Sequence, residues 1–167
     1  MEKIKINKFV DDYKQCVSDE AKQNYLKKTL FVYSHLSYMT KANLAKKIID
    51  SCYWSDDPVS HSKIFTRNSV AKNLLYYRSI VENYTNLVVS DNIFVNDYDN
   101  LYKHGLLDII MNSIPEKELN EYNKVLQLTE DDYVFNYTEP HNFLSSALSK
   151  IGYFSKDILP KFLNNDK

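Results

Sequence analysis

The sequence predicts an all-α protein: a single compact multi-helix domain of seven to nine helices, packed around one central buried helix at residues 69–88. Three observations carry this. Glycine occurs twice and proline four times in 167 residues, a scarcity of chain breakers that disfavours a many-turned β protein. No stretch reads as two alternating strands joined by a glycine-containing hairpin turn. Within 69–88, Val70, Leu74, Tyr77, Val81, Tyr84 and Val88 recur at spacings of four and three, which makes one continuous stripe on a helix. Ala71, Leu75 and Leu87 widen that stripe, as expected for a helix enclosed by several neighbours. Ser69 is the expected N-cap.

The other elements follow in chain order. Residues 4–17 read as a short helix with Phe9, Tyr13 and Cys16 or Val17 on one side. Asp19 is placed to cap a second helix, which carries Tyr25, Leu26, Thr29, Leu30 and Tyr33 to about residue 34. Thr40 opens a third, to about Tyr53, with Leu44, Ala45, Ile48, Ile49 and Cys52 inward. Residues 54–68 form the longest expected loop, because Pro58 and its Ser and Asp neighbours break the period; Ile64 and Phe65 are expected to fold back onto the core. After the central helix, Asp97 is placed to cap a short helix ending at His104. Gly105 then supplies a left-handed residue, and 106–112 is another short helical piece. Ser113, Pro115 and Glu116 form a capping-box pattern. The helix it would start carries Leu119, Tyr122, Val125 or Leu126, and Thr129 to about Tyr133. Glu139-Pro140 interrupts. Further helices are expected at about 143–151, closed by Gly152, and at 155–163, with a frayed tail at 164–167. Nothing resembles a linker or an internal repeat, so one domain over 1–167 is expected.

Composition narrows the function classes. The net charge is −1, and the basic residues are 19 Lys against Arg67 and Arg78 alone. A nucleic-acid binder concentrates basic excess on one face and uses Arg for bidentate contacts. The pairs Lys27-Lys28 and Lys46-Lys47 are the best footing for that class, and they read first as solvated faces. Cys16 and Cys52 lie far apart with no CxxC, which fits small buried apolar residues in a reducing compartment. The N-terminal stretch lacks the apolar core of a signal peptide, and no apolar run is long enough to span a bilayer.

Motifs for chemistry are lacking. Phosphate-cradling loops need several glycines, so Walker and dinucleotide fingerprints are excluded, and no cofactor is expected. His35, His61, His104 and His141 are dispersed, without the short spacings of a zinc site, and no metal is expected. Asp56-Asp57 beside His61 lacks a nucleophile. No serine lies in a GxSxG and neither cysteine has a catalytic signature, so no catalytic residue is assigned and the chain is expected not to be an enzyme.

The interaction reading has more support. Tyr53-Trp54 ends a helix and enters a polar loop, where Trp and Tyr make good anchors. The expected partner-binding surface is Tyr53, Trp54, Asp56, Asp57 and Phe65. The cluster Glu130-Asp131-Asp132 adds a patch for a basic partner, set near a helix C-terminus where the macrodipole disfavours negative charge.

Several short stretches carry a resemblance: Phe9-Val10-Asp11-Asp12-Tyr13, Tyr25-Leu26-Lys27-Lys28, Lys46 to Ser51, Tyr84-Thr85-Asn86-Leu87, Ile114-Pro115-Glu116-Lys117-Glu118, and Val125-Leu126 with Asp131-Asp132. Through them the chain resembles a family of small uncharacterised proteins from tailed phages of low-GC Gram-positive bacteria, over about residues 7–135. The resemblance implies a phage setting in the cytoplasm of an infected bacterium, or in the virion, and carries no activity. The expectation is a protein-interaction domain, bound to a phage or host protein or to copies of itself. Its role would be virion assembly or an accessory function, including inhibition of a host defence protein such as a CRISPR nuclease. Nucleic-acid association is the third reading.

Overall fold

A computed structural model describes residues 2–56, 63–90 and 94–138. Among them are seven helices: α1 (Ile6–Lys14), α2 (Asp19–Thr29), α3 (Tyr38–Cys52), α4 (Ser69–Tyr84), α5 (Phe94–Lys103), α6 (Leu106–Ser113) and α7 (Glu116–Thr138). Four short strands accompany them: β1 (Ile4–Lys5), β2 (Trp54–Asp56), β3 (Lys63–Phe65) and β4 (Leu87–Val88). The all-α class expected from the sequence is the class observed. The chain divides into two compact units, Met1–Gln127 and Leu128–Lys167, and α7 runs from the first into the second. The helices expected at 143–151 and 155–163 lie outside the described residues.

In the first unit the core is built from Ile6, Phe9 and Val10 of α1, Ala45, Ile48 and Ile49 of α3, Ile80, Val81 and Tyr84 of α4, Leu101 of α5, Leu106 and Ile110 of α6, and Tyr122 of α7, all buried. These positions follow the helical period, so burial of one face of each amphipathic helix accounts for the packing. No described helix is long and apolar enough to cross a membrane.

The central helix is shorter than the periodicity predicts. It ends at Tyr84, and Thr85 is extended at φ −128, ψ 174. The cause is local polar chemistry that competes with the helix. Thr85 Oγ1 donates to Val81 O and accepts from Leu87 N at 3.0 Å. Asn86 Oδ1 accepts from Phe31 N at 2.9 Å, and Asn86 Nδ2 donates to Thr29 O at 3.0 Å and to Glu2 O at 3.3 Å. Leu87 and Val88 therefore leave the helix and pair in parallel with Ile4 and Lys5. At the other end Asn68, not Ser69, is the cap, accepting from Ala71 N at 2.9 Å, and Val70 stands in solvent.

Other boundaries move for similar reasons. The expected first helix over 4–17 is β1 followed by α1. Ser18 rather than Asp19 caps α2, which stops at Thr29, and an antiparallel bridge then joins Val32 to Thr85. Ser37 caps α3, three residues before the expected opening at Thr40. The expected loop 54–68 contains an antiparallel ribbon, with Trp54 opposite Phe65 and Asp56 opposite Lys63. Asp97 does not cap a helix: it is buried inside α5 and accepts from Ser90 N at 2.7 Å. The capping box does not form either. Ser113 ends α6 and turns its hydroxyl back to Ile109 O at 2.6 Å, and α7 begins at Glu116 with Pro115 just ahead of it. Gly105 is left-handed as expected, at φ 67.

Candidate functional site

Glu118 stands in the first turn of α7, where a carboxylate suits the positive end of the helix dipole. It is buried, and four groups donate to it. Leu36 N at 2.9 Å, Tyr84 Oη at 2.8 Å and Lys41 Nζ at 2.8 Å reach Oε1, and His35 Nδ1 at 2.9 Å reaches Oε2. Lys41, in the first turn of α3, has no solvent exposure at all. Its ammonium also pairs with Glu121 Oε2, one turn further along α7. One carboxylate thus ties α7 to α3, to the end of α4 and to the non-helical stretch 34–37.

A buried charge is tolerated only when paired and hydrogen-bonded, and that condition is met here. Burial by itself would raise the Glu118 pKa. The bonds from Lys41, Leu36 N, His35 and Tyr84 outweigh it and hold the carboxyl down from 4.5 to about 2. Burial likewise disfavours the Lys41 charge, and Glu118 and Glu121 outweigh it, so its pKa is raised. Burial and the bond to Glu118 push the Tyr84 phenol far up.

His35, Glu118 and Glu121 offer ligand atoms all within 4.8 Å of one another, the donor types of a metal site. The Lys41 ammonium already lies against both carboxylates and supplies the positive charge that an ion would bring. A divalent ion there would meet a buried like charge. The cluster is best described as an ion network completed by lysine.

Beside it runs a second polar layer. Tyr122 Oη and Ser79 Oγ share a hydrogen bond of 2.7 Å inside the core, and burial pushes the Tyr122 phenol up to about 12. Tyr76 stacks on Tyr122 with ring centroids 5.6 Å apart. The abundance of tyrosine is explained in part by such pairs, which fill the core while each hydroxyl finds a partner.

This Lys41–Glu118 clasp holds in place a stretch of chain that exposes large apolar side chains. Phe31 is 46% exposed, Tyr33 42%, Tyr38 57% and Met39 66%. Between them, His35 and Leu36 are bonded to Glu118, and Ser37 caps α3 by accepting from Thr40 N at 3.2 Å.

Of the residues expected to form the partner surface, Phe65, Asp131 and Asp132 are exposed, and Tyr53 and Glu130 are buried. Tyr53 is buried and meets the Phe65 ring at 5.3 Å, so it belongs to the core. Phe65 itself is at the surface. Trp54 and Asp56 sit in β2, with their side chains outside what is described, and Asp57 lies outside the described residues. In the second unit Glu130 is buried whereas Asp131 and Asp132 are exposed. Both members of the clasp carried a sequence signal. Lys41 lies on the stripe Lys41, Ala45, Ile48, Cys52, and Glu118 on the stripe Glu118, Tyr122, Val125, Thr129. A charge at a core position of a helix needs a buried partner, and the two answer each other.

Comparison with protein families, with curated proteins and with solved structures gives no match.

Proposed function

We propose that this chain is a protein-binding domain without a reaction of its own, and that the stretch 31–39 is its principal contact surface. The observation that carries the reading is the pairing of four exposed, mostly aromatic side chains with a buried ion network that pins the backbone between them. Exposed apolar side chains on a backbone fixed beforehand lose little conformational freedom on binding, the condition for affinity from a small contact. The perturbed ionisable groups also suit structure better than catalysis. Lys41 and Glu118 are turned toward each other. The cleft of about 310 Å³ between α3 and α4 is lined by Leu44, Ile48, Leu75, Lys47, Arg78 and Glu82 among others, none of them from the clasp.

In the phage setting implied by the resemblance, such a domain serves virion assembly or acts as an accessory factor against a host protein. The test uses the immobilised full chain and its Tyr38→Ser/Met39→Ser variant, with lysate from infected cells. Loss of specific captured proteins at an unchanged melting temperature supports the reading. Equal capture by both chains refutes this surface. The identity of the captured proteins separates the two roles.

A further inference from the structure

The cleft of about 310 Å³ between α3 and α4 is walled by residues one turn apart on each helix: Leu44, Ile48 and Ser51 on α3, and Leu75, Ser79 and Glu82 on α4. Its apolar surface comes from Leu44, Ile48 and Leu75. Ile48 is buried, whereas Leu44 and Leu75 are half-buried. Both leucines stand on the apolar stripes of their helices, yet neither is fully covered. An apolar body seated between them would shed water from both surfaces.

The polar side chains of the lining are answered within the protein, with one exception. Ser51 Oγ donates to Lys47 O at 2.8 Å. Ser79 Oγ donates to Tyr76 O at 2.8 Å and shares a hydrogen bond of 2.7 Å with Tyr122 Oη. Asn83 Nδ2 donates to Ser79 O at 2.8 Å, and Arg78 pairs with Glu82 at 3.2 Å. The exception is Lys47. It is exposed, and among the described residues its ammonium makes no hydrogen bond or ion pair. Two cations, Lys47 and Arg78, stand in the lining against one carboxylate, Glu82, so one positive charge is left over. One negative charge on a ligand would match it. A cationic ligand would meet Lys47 and Arg78, and a dianion would exceed the charge on offer and face Glu82.

The size of the cleft fits the same kind of molecule. It lies at the small end of ligand pockets, and at roughly 30 Å³ per non-hydrogen atom it has room for about ten. We propose that this cleft binds a small organic monocarboxylate, with its carboxylate at the Lys47 ammonium and its apolar body against Leu44, Ile48 and Leu75. The site shares no residue with the stretch 31–39, so it stands or falls apart from the protein-binding reading above.

The test titrates the full chain with octanoate, octan-1-ol and octylamine, and follows the methyl resonances of Leu44, Ile48 and Leu75. Octanoate is expected to bind and to shift those resonances. Octan-1-ol keeps the apolar body and lacks the charge, and should bind about tenfold more weakly, with octylamine weaker still. Lys47→Met should bring octanoate down to the level of octan-1-ol at an unchanged melting temperature, because Lys47 is exposed, and Lys47→Arg should keep the preference. Ser51→Trp, at an exposed position of the wall, should weaken octanoate and octan-1-ol alike by filling the cleft. Equal affinity for octanoate and octan-1-ol overturns recognition of the carboxylate. Octanoate that binds without moving those methyl resonances, or as tightly to Lys47→Met as to the parent, overturns the site, and so does the absence of octanoate binding.

Discussion

Glu118 sets the acid limit of this protein. Its carboxyl titrates at about 2 in the folded chain against an ordinary value of 4.5. The group is therefore charged and bonded in the folded state over a range where the unfolded chain already takes up a proton. Its contribution is present above pH 4.5 and is lost as the pH falls toward 2. The difference corresponds to roughly 3 kcal/mol. Chemical denaturation at intervals between pH 5 and 2 should show that decline, and Glu118→Gln should flatten it. Lys41→Met should be costly at neutral pH, by about 3–5 kcal/mol, because it leaves a buried carboxylate without its cation. In the double variant Lys41→Met/Glu118→Gln the loss should be smaller than the sum of the single ones, which a double-mutant cycle measures. The opposite sign applies to Tyr84 and Tyr122. Their raised pKa values stabilise the folded chain below pH 10, and that contribution is lost at higher pH. An absorbance titration should show these phenols ionising only as the protein unfolds. None of this chemistry is local in the sequence: Leu36 and Glu118 are 82 residues apart. Only the helical stripes on which Lys41 and Glu118 fall mark them, and each stripe identifies one charge without naming its partner.

The helices were the most legible elements, and their ends the least. The interior periods of α3 and α7 read correctly, because burial of one face dictates them, whereas in α4 Val81 and Tyr84 are buried as expected but Val70 is exposed and Ile80, off the expected stripe, is fully buried. The ends were decided by single polar side chains whose partners lie far away in the sequence. Asn86, whose amide bonds to residues 2, 29 and 31, turns what looks like a helix into a strand. Ser113 could have capped α7 and instead bonds back into α6. The ribbon of β2 and β3 lacks the glycine turn by which a hairpin is recognised. Gly105 is the exception, a boundary set by backbone geometry alone and therefore readable. No atom lies within 4 Å of where its Cβ would sit, so a side chain there meets no clash, only the strain of φ 67. Gly105→Ala should destabilise by about 1 kcal/mol, and Gly105→Asn by less, because asparagine tolerates the left-handed region. Thermal melts of the two variants give the comparison.

At the scale of the whole molecule, three distant segments meet at residues 84–88: the N-terminal strand, the stretch after α2, and the end of the central helix. β1 and β4 form a two-stranded parallel pair, and Val32 joins Thr85 through an isolated antiparallel bridge, so the outer side of β1 is an edge that must be blunted. Lys5 of β1 is exposed, and a lysine on an edge strand discourages pairing, whereas the Lys3 ammonium turns to Thr85 O at 3.5 Å. Lys5→Val should therefore leave the fold standing, because that side chain is exposed and valine favours strands. It should also convert that edge into a template for self-pairing. The expected outcome is a monomer at low concentration with a melting temperature close to that of the parent, and association that grows with concentration in sedimentation velocity. A variant that stays monomeric at high concentration would show that something other than Lys5 guards that edge.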